Sequence, residues 1–392
     1  MSGFTERGLA RLERVLARPV DSGALPGLVA LVDRGGDTEV VLLGSTGVGG
    51  PPVAQDTIFR IASMTKPIVA VAALTLVEDC VLRLGESVED LLPELADRRV
   101  LSSLSAELDD TVPAEGPITL RHLLTFTMGF GQLMAEPADY PILAAAEERK
   151  IGMAWPDPDA TPAPDEWLRR LGELPLMYQP GQRWVYNTSA DVLGVLIARA
   201  TGKSLGEVLA ERVFGPLGMR DTGFSVPAAD LGRLATSYRT DVEPGELTVF
   251  DPADGMWSRP PAFESGSGGL VSTVEDMLAF GRMLLAGGGP VLSRSSVAAM
   301  TTDQLTPAQR EVEAWMPWDG ASWGLGIGLT LDRTGPAANP GRIGWDGGLG
   351  TSWACDPGED LVGVLLTQVM WSSPGSYAVV EDFWTATYAA LP

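Results

Sequence analysis

The sequence predicts a mixed α/β (α+β) fold: one antiparallel sheet built from both ends of the chain, packed against helices, with a mainly helical region between. Three observations predict it. Strand patterns gather at the two ends, at Gly27–Val32 and Glu39–Leu43 and again at Gly324–Leu331, Arg342–Trp345, Thr351–Cys355 and Leu361–Val369. Helical runs occupy the middle. The chain has 392 residues, 45% hydrophobic and 20% charged, enough for a large core without a metal or disulfide staple. The expected division is residues 1–61 and 226–392 for the sheet part and 62–225 for the helical part, with a groove between them.

In chain order, Phe4, Leu9, Leu12 and Leu16 recur at helical spacing among Glu6, Arg11, Glu13, Arg14 and Arg18. That is an amphipathic helix rather than the uninterrupted apolar core of a secretion signal, so cytoplasmic residence is expected. The turn Arg34-Gly35-Gly36-Asp37 joins the first two strands. Ile61–Leu82, rich in Ala, Val and Leu, reads as a buried helix, and Glu86–Leu95 and Thr119–Thr127 as short helical stretches. From about Gly129 to Pro180 the chain turns rich in Pro, Asp and Ala, as excursions and short helices over a cleft would be. Asp191–Ala200 and Ser204–Val213 are helical, and residues 226–265 loop-like. Thr273–Ala286 is a helix stopped by Gly287-Gly288-Gly289, and Ser376–Leu391 closes the chain as an amphipathic helix. No run reaches the roughly 18 apolar residues of a membrane span.

Charge excludes further classes. There are 51 acidic against 28 basic residues, a net charge of -23. A nucleic-acid binder needs a basic footprint, and an anionic membrane surface would repel this chain. Cys80, in an apolar helical run, and Cys355, in a strand pattern, lie far apart and read as buried reduced thiols. With the single histidine, His122, they leave no Cys/His metal cluster, so no metal or cofactor is expected.

The strongest local signal is Phe59-Arg60-Ile61-Ala62-Ser63-Met64-Thr65-Lys66-Pro67. Ser63 and Lys66, three apart at a helix start, share one face. A hydroxyl is a weak nucleophile until a base takes its proton, and a desolvated neutral lysine can do so. A capping serine beside a solvated lysine would give the same letters. Yet Lys66, Lys150 and Lys203 are the only lysines, and Lys66 sits among Ile61, Ala62 and Ile68–Ala72, where an idle ammonium is costly. A Ser-His-Asp hydrolase would need His122 as its base and a Gly-x-Ser-x-Gly elbow. No such elbow occurs, Gly266-Ser267-Gly268 does not fit, and His122 reads as a hydrogen-bonded structural residue.

Together with Ile118–Gly131, Pro180–Gly202, Gly268–Thr273 and Gly344–Asp356, this segment resembles the serine β-lactamase and penicillin-binding-protein superfamily. More narrowly it resembles the class C β-lactamase-like esterases, the family VIII carboxylesterases. The resemblance runs over nearly the whole chain, and implies a β-lactamase/transpeptidase-like fold. It implies Ser63 as nucleophile, with Lys66 and Tyr186, in Trp184-Val185-Tyr186-Asn187-Thr188, as its partners. A neighbouring ammonium would favour the Tyr186 phenolate, which could accept the Ser63 proton and return it to the leaving oxygen. Asn187 directly follows the tyrosine instead of lying two places on, so Asn187 or Thr188 would do the amide's substrate-binding work.

The superfamily's strand motif, Lys-Thr-Gly or His-Thr-Gly, cannot exist here, because no lysine follows Lys203 and no histidine follows His122. The matching stretch is Trp345-Asp346-Gly347-Gly348. The resemblance implies backbone N–H groups of Ser63 and Gly348 as an oxyanion hole, with Trp345 as an apolar wall and Gly347 beside it. Losing the strand cation removes an anchor for a substrate carboxylate, which favours esters over β-lactams. Asp346 either faces the cleft or points away along the strand. Trp155, Trp167, Trp315, Trp318 and Trp323 are candidates to line an acyl or alcohol pocket. The expectation is a serine hydrolase of small-molecule carboxylic esters with short acyl chains. The alternatives are a β-lactamase, a D-amino-acid peptidase or amide hydrolase, an acyltransferase, or a catalytically silent binding protein of the same fold.

Overall fold

The Thr5 hydroxyl accepts the Gly8 N–H at 3.1 Å and starts helix α1 (Glu6–Asp21), whose buried Leu12 and Leu16 repeat at helical spacing. The computed structural model describes residues 3–152, 157–240, 246–310, 318–371 and 374–392. Strands β1 (Gly27–Arg34) and β2 (Asp37–Gly44) form a hairpin through Gly35 and Gly36, both at positive φ as its tight two-residue turn demands. β3 (Phe59–Arg60) leads through a 3₁₀ turn at Ala62–Met64 into α2 (Thr65–Glu78). The short pair β4 (Arg99–Leu101) and β5 (Thr111–Pro113) precedes α3 (Leu120–Leu124), α4 (Pro141–Glu148), α5 (Pro164–Gly172), α6 (Thr188–Thr201), α7 (Leu205–Leu209) and α8 (Gly215–Leu217). The hairpin β6 (Ser237–Thr240) and β7 (Leu247–Asp251) follows, then β8 (Val271–Ser272), α9 (Val274–Leu285) and α10 (Arg294–Met300). The chain closes with β9 (Ala321–Trp323), β10 (Gly328–Thr330), β11 (Ile343–Gly347), β12 (Thr351–Asp356), β13 (Leu361–Thr367) and α11 (Pro374–Tyr388).

The main sheet is antiparallel with order β2-β1-β13-β12-β11-β10-β9, so strands from the two ends of the chain lie side by side within it. Leu28 lies opposite Leu43 on one side and Thr367 on the other. Strand alternation then sorts the faces. Leu28, Ala30 and Val32 pack with Leu12 and Leu16 of α1 and Phe383 and Trp384 of α11. Val29 and Leu31 turn to the main core, which holds Met277 and Phe280 of α9 and Trp353 of β12. β12 and β13 are buried along their whole length, and β13 reads as a nearly continuous apolar run. Among the described residues no helix is long and apolar enough to cross a membrane.

Several expectations are corrected. The helix expected over Ile61–Leu82 is only α2, and the chain reverses at Cys80, which takes φ 58° and stands exposed. Cys355 alone is the buried thiol. Glu86–Leu92 forms turns, with a single 3₁₀ turn at Pro93–Leu95. Of the strand expected at Gly324–Leu331 only β10 forms, with β9 lying just before that range, because Gly326, at φ 78°, bends the chain between them where a Cβ would meet that of Ala70 at 2.3 Å. The loop expected over 226–265 contains the β6–β7 hairpin.

Candidate active site

Three segments converge at the start of α2. β3 pairs with β8, and the Ile61 N–H bonds to the Leu270 carbonyl at 3.0 Å, so the strand end is fixed. Ala62 then adopts φ 44°, a conformation that costs a residue with a Cβ and recurs at functional turns. It delivers Ser63, half-buried in an otherwise buried stretch, to the open side of the turn. Lys66 lies one turn on and is 1% exposed. Its Nζ donates to Ser63 Oγ at 2.8 Å and to the Ser267 carbonyl at 2.5 Å.

Tyr186 is held from the other side. The Val185 N–H bonds to the Phe126 carbonyl at 2.7 Å, and Gln132 N–H to the Tyr186 carbonyl at 2.8 Å. Its ring packs against Phe126 and Trp184 at centroid distances of 6.0 and 5.5 Å, and Lys66 Nζ stands 4.4 Å from its ring centroid. The phenol is hydrogen-bonded to the Ser63 side chain. The Trp345 indole N–H donates to the phenol oxygen at 2.8 Å. Trp345 is therefore a polar anchor for Tyr186. Asn187, at φ 78°, is buried at the entry to α6.

β11 supplies the third segment. A Cβ on Gly347 would meet the Ile61 carbonyl and Thr351 Oγ1, both at 2.2 Å, so only glycine lets this strand lie against the turn that carries Ser63. Gly348 follows, half-buried, its carbonyl accepting the Trp371 N–H at 3.0 Å. Asp346 points away: it accepts from Ser352 Oγ at 2.5 Å and from the Tyr377 hydroxyl at 2.6 Å. His122 accepts the Thr119 N–H at Nδ1 at 3.2 Å and closes the N-terminus of α3, the structural role expected of it.

The electrostatics separate the roles. Burial lowers Lys66 from its ordinary value to about 7, against an opposing pull from Asp191, so near neutral pH the amine is partly unprotonated and able to accept a proton. Burial raises Tyr186, outweighing its hydrogen bonds with Ser63 and Trp345. The phenol thus stays protonated. Burial works against the resting phenolate expected from the sequence.

Asp191 escaped the sequence reading. It is 4% exposed on α6 and accepts from Ser265 Oγ at 2.7 Å and from the Ser267 N–H at 3.0 Å. A lone carboxylate in the apolar run Asp191–Ile197 was the available signal, on the same desolvation argument that singled out Lys66. Of the tryptophan candidates, Trp167 and Trp323 are buried, with indole N–H groups on the Ile151 and Leu124 carbonyls at 2.7 and 3.1 Å. Trp318 packs edge-on to Trp184 at 4.9 Å. Trp155 and Trp315 lie outside the described residues. A cavity of about 490 Å³ lies along Gln132, Leu133, Leu143, Ala146, Phe250 and Met256, and Ser63, Lys66 and Tyr186 are not among its walls. Its walls are mostly apolar, as small-molecule sites usually are.

The sequence pattern of the Beta-lactamase family matches residues 12–377. "Protein Rv1367c" of Mycobacterium tuberculosis is 38% identical over 361 residues, 89% of this chain and 87% of that protein. Esterase EstB of Burkholderia gladioli is 32% identical over 385 residues, 91% of this chain and 90% of that protein. The solved structure of EstCE1, described as a hydrolase with promiscuous acyltransferase activity, superimposes with a TM-score of 0.80 at 25% identity, over 97% of this chain and 99% of that one.

Proposed function

This chain belongs to the beta-lactamase family, and on that premise we propose that it is a serine carboxylesterase working through an acyl-enzyme on Ser63. The observation that carries the proposal is the half-exposed Ser63 hydroxyl bonded at 2.8 Å to a buried amine whose proton affinity is lowered to about 7. In this reading the Lys66 amine takes the Ser63 proton as the hydroxyl attacks the ester carbonyl. Backbone N–H groups of Ser63 and Gly348 receive the oxyanion. The Tyr186 phenol protonates the departing alcohol, and the Lys66 ammonium restores the phenol's proton. Water then repeats the sequence on the acyl-enzyme. Asn187 and Gly347 border the bound ester, and Trp345 keeps the phenol aimed at the leaving oxygen. The preference for esters is supported by the strand edge, where Trp345 stands in the absence of any cation for a substrate carboxylate. Membership of the family VIII carboxylesterases, the division into residues 1–61 with 226–392 and residues 62–225, and cytoplasmic residence with its unpaired cysteines belong to the same reading.

The test is intact mass after a fluorophosphonate, with Ser63→Ala as control. One adduct on the native chain and none on the variant is expected; no adduct on the native chain would leave a silent binding protein. Parallel rates on a short p-nitrophenyl ester, a chromogenic cephalosporin and a D-Ala-D-Ala peptide then rank the substrates. Lactam or peptide turnover above ester turnover would reject the esterase. The similarity to EstCE1 favours one second reading, transfer of the acyl group to an alcohol in place of water. An ester product accumulating with added alcohol would establish it.

A further inference from the structure

Behind the Ser63–Lys66 pair lies a buried polar assembly that the proposed chemistry leaves unused. The turn at residues 265–268 is pressed onto α6. A Cβ on Gly266 would meet the Ala190 carbonyl at 2.4 Å, so only glycine permits this approach. Asp191 clamps the turn from α6, with Oδ1 accepting the Ser265 hydroxyl at 2.7 Å and the Ser267 N–H at 3.0 Å. The Ser267 side chain adds a further hydrogen bond to the carboxyl, and the two serine hydroxyls lie 3.1 Å apart. The carbonyl of that same Ser267 receives Lys66 Nζ at 2.5 Å. One residue thus has its N–H on the acid and its C=O on the base.

We propose that Asp191 is a positioning residue of this site: through Ser267 it fixes the carbonyl that orients the Lys66 amine toward Ser63, and its carboxylate supplies the negative charge that the buried amine faces. The inference rests on Lys66 acting as the base. Three observations support it beyond the geometry. The carboxyl is all but removed from solvent, so a purely structural clamp could have been an amide or hydroxyl at lower desolvation cost. Burial raises the proton affinity of the Asp191 carboxyl, and the hydrogen bonds from Ser265 and Ser267, with the charge of Lys66, act against that rise in favour of the charged form. And Asp191 is the charged group that acts on Lys66, against the desolvation of the amine. The other groups around Lys66 are Ser63 on its own turn, the Tyr186 ring, and the Ser267 carbonyl. Asp346, on β11, is engaged with Ser352 and Tyr377 instead.

The chain's three lysines make the test direct, since biosynthetic ¹³C labelling of lysine gives three sets of signals to assign. Asp191→Asn keeps the size and removes the charge. Without the carboxylate the ammonium loses its partner, so the Lys66 titration midpoint is expected to fall by about one pH unit, and the acid limb of kcat/KM to move with it. A merely structural residue would lower activity evenly across pH and leave both midpoints in place. An unchanged or raised Lys66 midpoint in folded Asp191→Asn overturns the proposal. Should that variant fail to fold, Ser265→Ala decides. Loss of one bond to the carboxylate weakens its charged form and lowers the Lys66 midpoint by a smaller step, and no movement overturns the proposal. The lysine signals need no turnover, so they test Asp191 even if the fluorophosphonate experiment denies Ser63 its role.

Discussion

Lys66 stands under two opposed influences, burial that discharges it and Asp191 that charges it, and burial prevails. The pH dependence follows from the sign. Below about 7 the amine is protonated and cannot take the Ser63 proton; above it the lone pair is free. Hydrolysis of a short ester is therefore expected to rise with pH through about 7 and then level off, falling about tenfold per unit on the acid side. Because burial lifts Tyr186, its phenol keeps its proton and no loss is expected up to the ordinary phenol value of 10.0. The check is kcat/KM against pH; an acid limb at the ordinary lysine value of 10.5 would overturn the lowering of Lys66 by burial. The Ser63–Lys66 pairing was legible in the sequence because three residues on one helical turn fix their own geometry. The charge of Asp191 on Lys66 was not, because only the packing of α6 and the 265–268 turn brings them together. The protonation state of Tyr186 escaped for a related reason: burial outweighs the hydrogen-bond partners that its neighbours suggest.

At the level of elements, the site depends on how closely β11 lies against the 3₁₀ turn before α2. Gly347→Ala puts a methyl group 2.2 Å from the Ile61 carbonyl and from Thr351 Oγ1, so strand and turn must part. In the proposed mechanism that displaces the Gly348 N–H from the oxyanion, and removal of one such donor costs about 10²–10³ in rate. Gly347→Ala is expected to lose about 10²-fold in kcat with little change in KM. Kinetics on a p-nitrophenyl ester and a melting curve by circular dichroism check this, and an unaltered kcat would show that the strand end does not face the reacting oxygen. The long elements of both termini were legible because each buries a face with a regular period. The β6–β7 hairpin and the split between β9 and β10 were not, because strands of three to five residues are set by their partners.

Across the whole molecule, the buried Arg60–Asp251 pair ties the strand before the nucleophile to the hairpin β6–β7. Both side chains are 2% exposed. Arg60 also donates to the Ala235 carbonyl at 2.5 Å and the Pro252 carbonyl at 2.9 Å, and Asp251 Oδ1 accepts the Met256 N–H at 2.6 Å. The pair stitches the cluster of Ile58, Ala62, Trp257, Val271 and Leu349 that backs the site. Asp251→Ala leaves a guanidinium buried without its counter-charge and is expected to destabilise the fold by about 3–5 kcal/mol. Urea unfolding should show a lower midpoint with an unchanged slope; a midpoint equal to the native one would mean that water replaces the carboxylate. The pairing of β1 with β13 has a consequence for how the protein is made. Leu28 waits for Thr367, and Thr5 for the Ala390 carbonyl, so β1 has no β13 to pair with until residues 361–367 have been made. Ser63 and Lys66 leave the ribosome early, whereas Trp345, Gly347 and Gly348 leave late. The nascent polypeptide therefore carries its nucleophile long before the ledge meant to hold a reacting oxygen, and competence waits for that ledge.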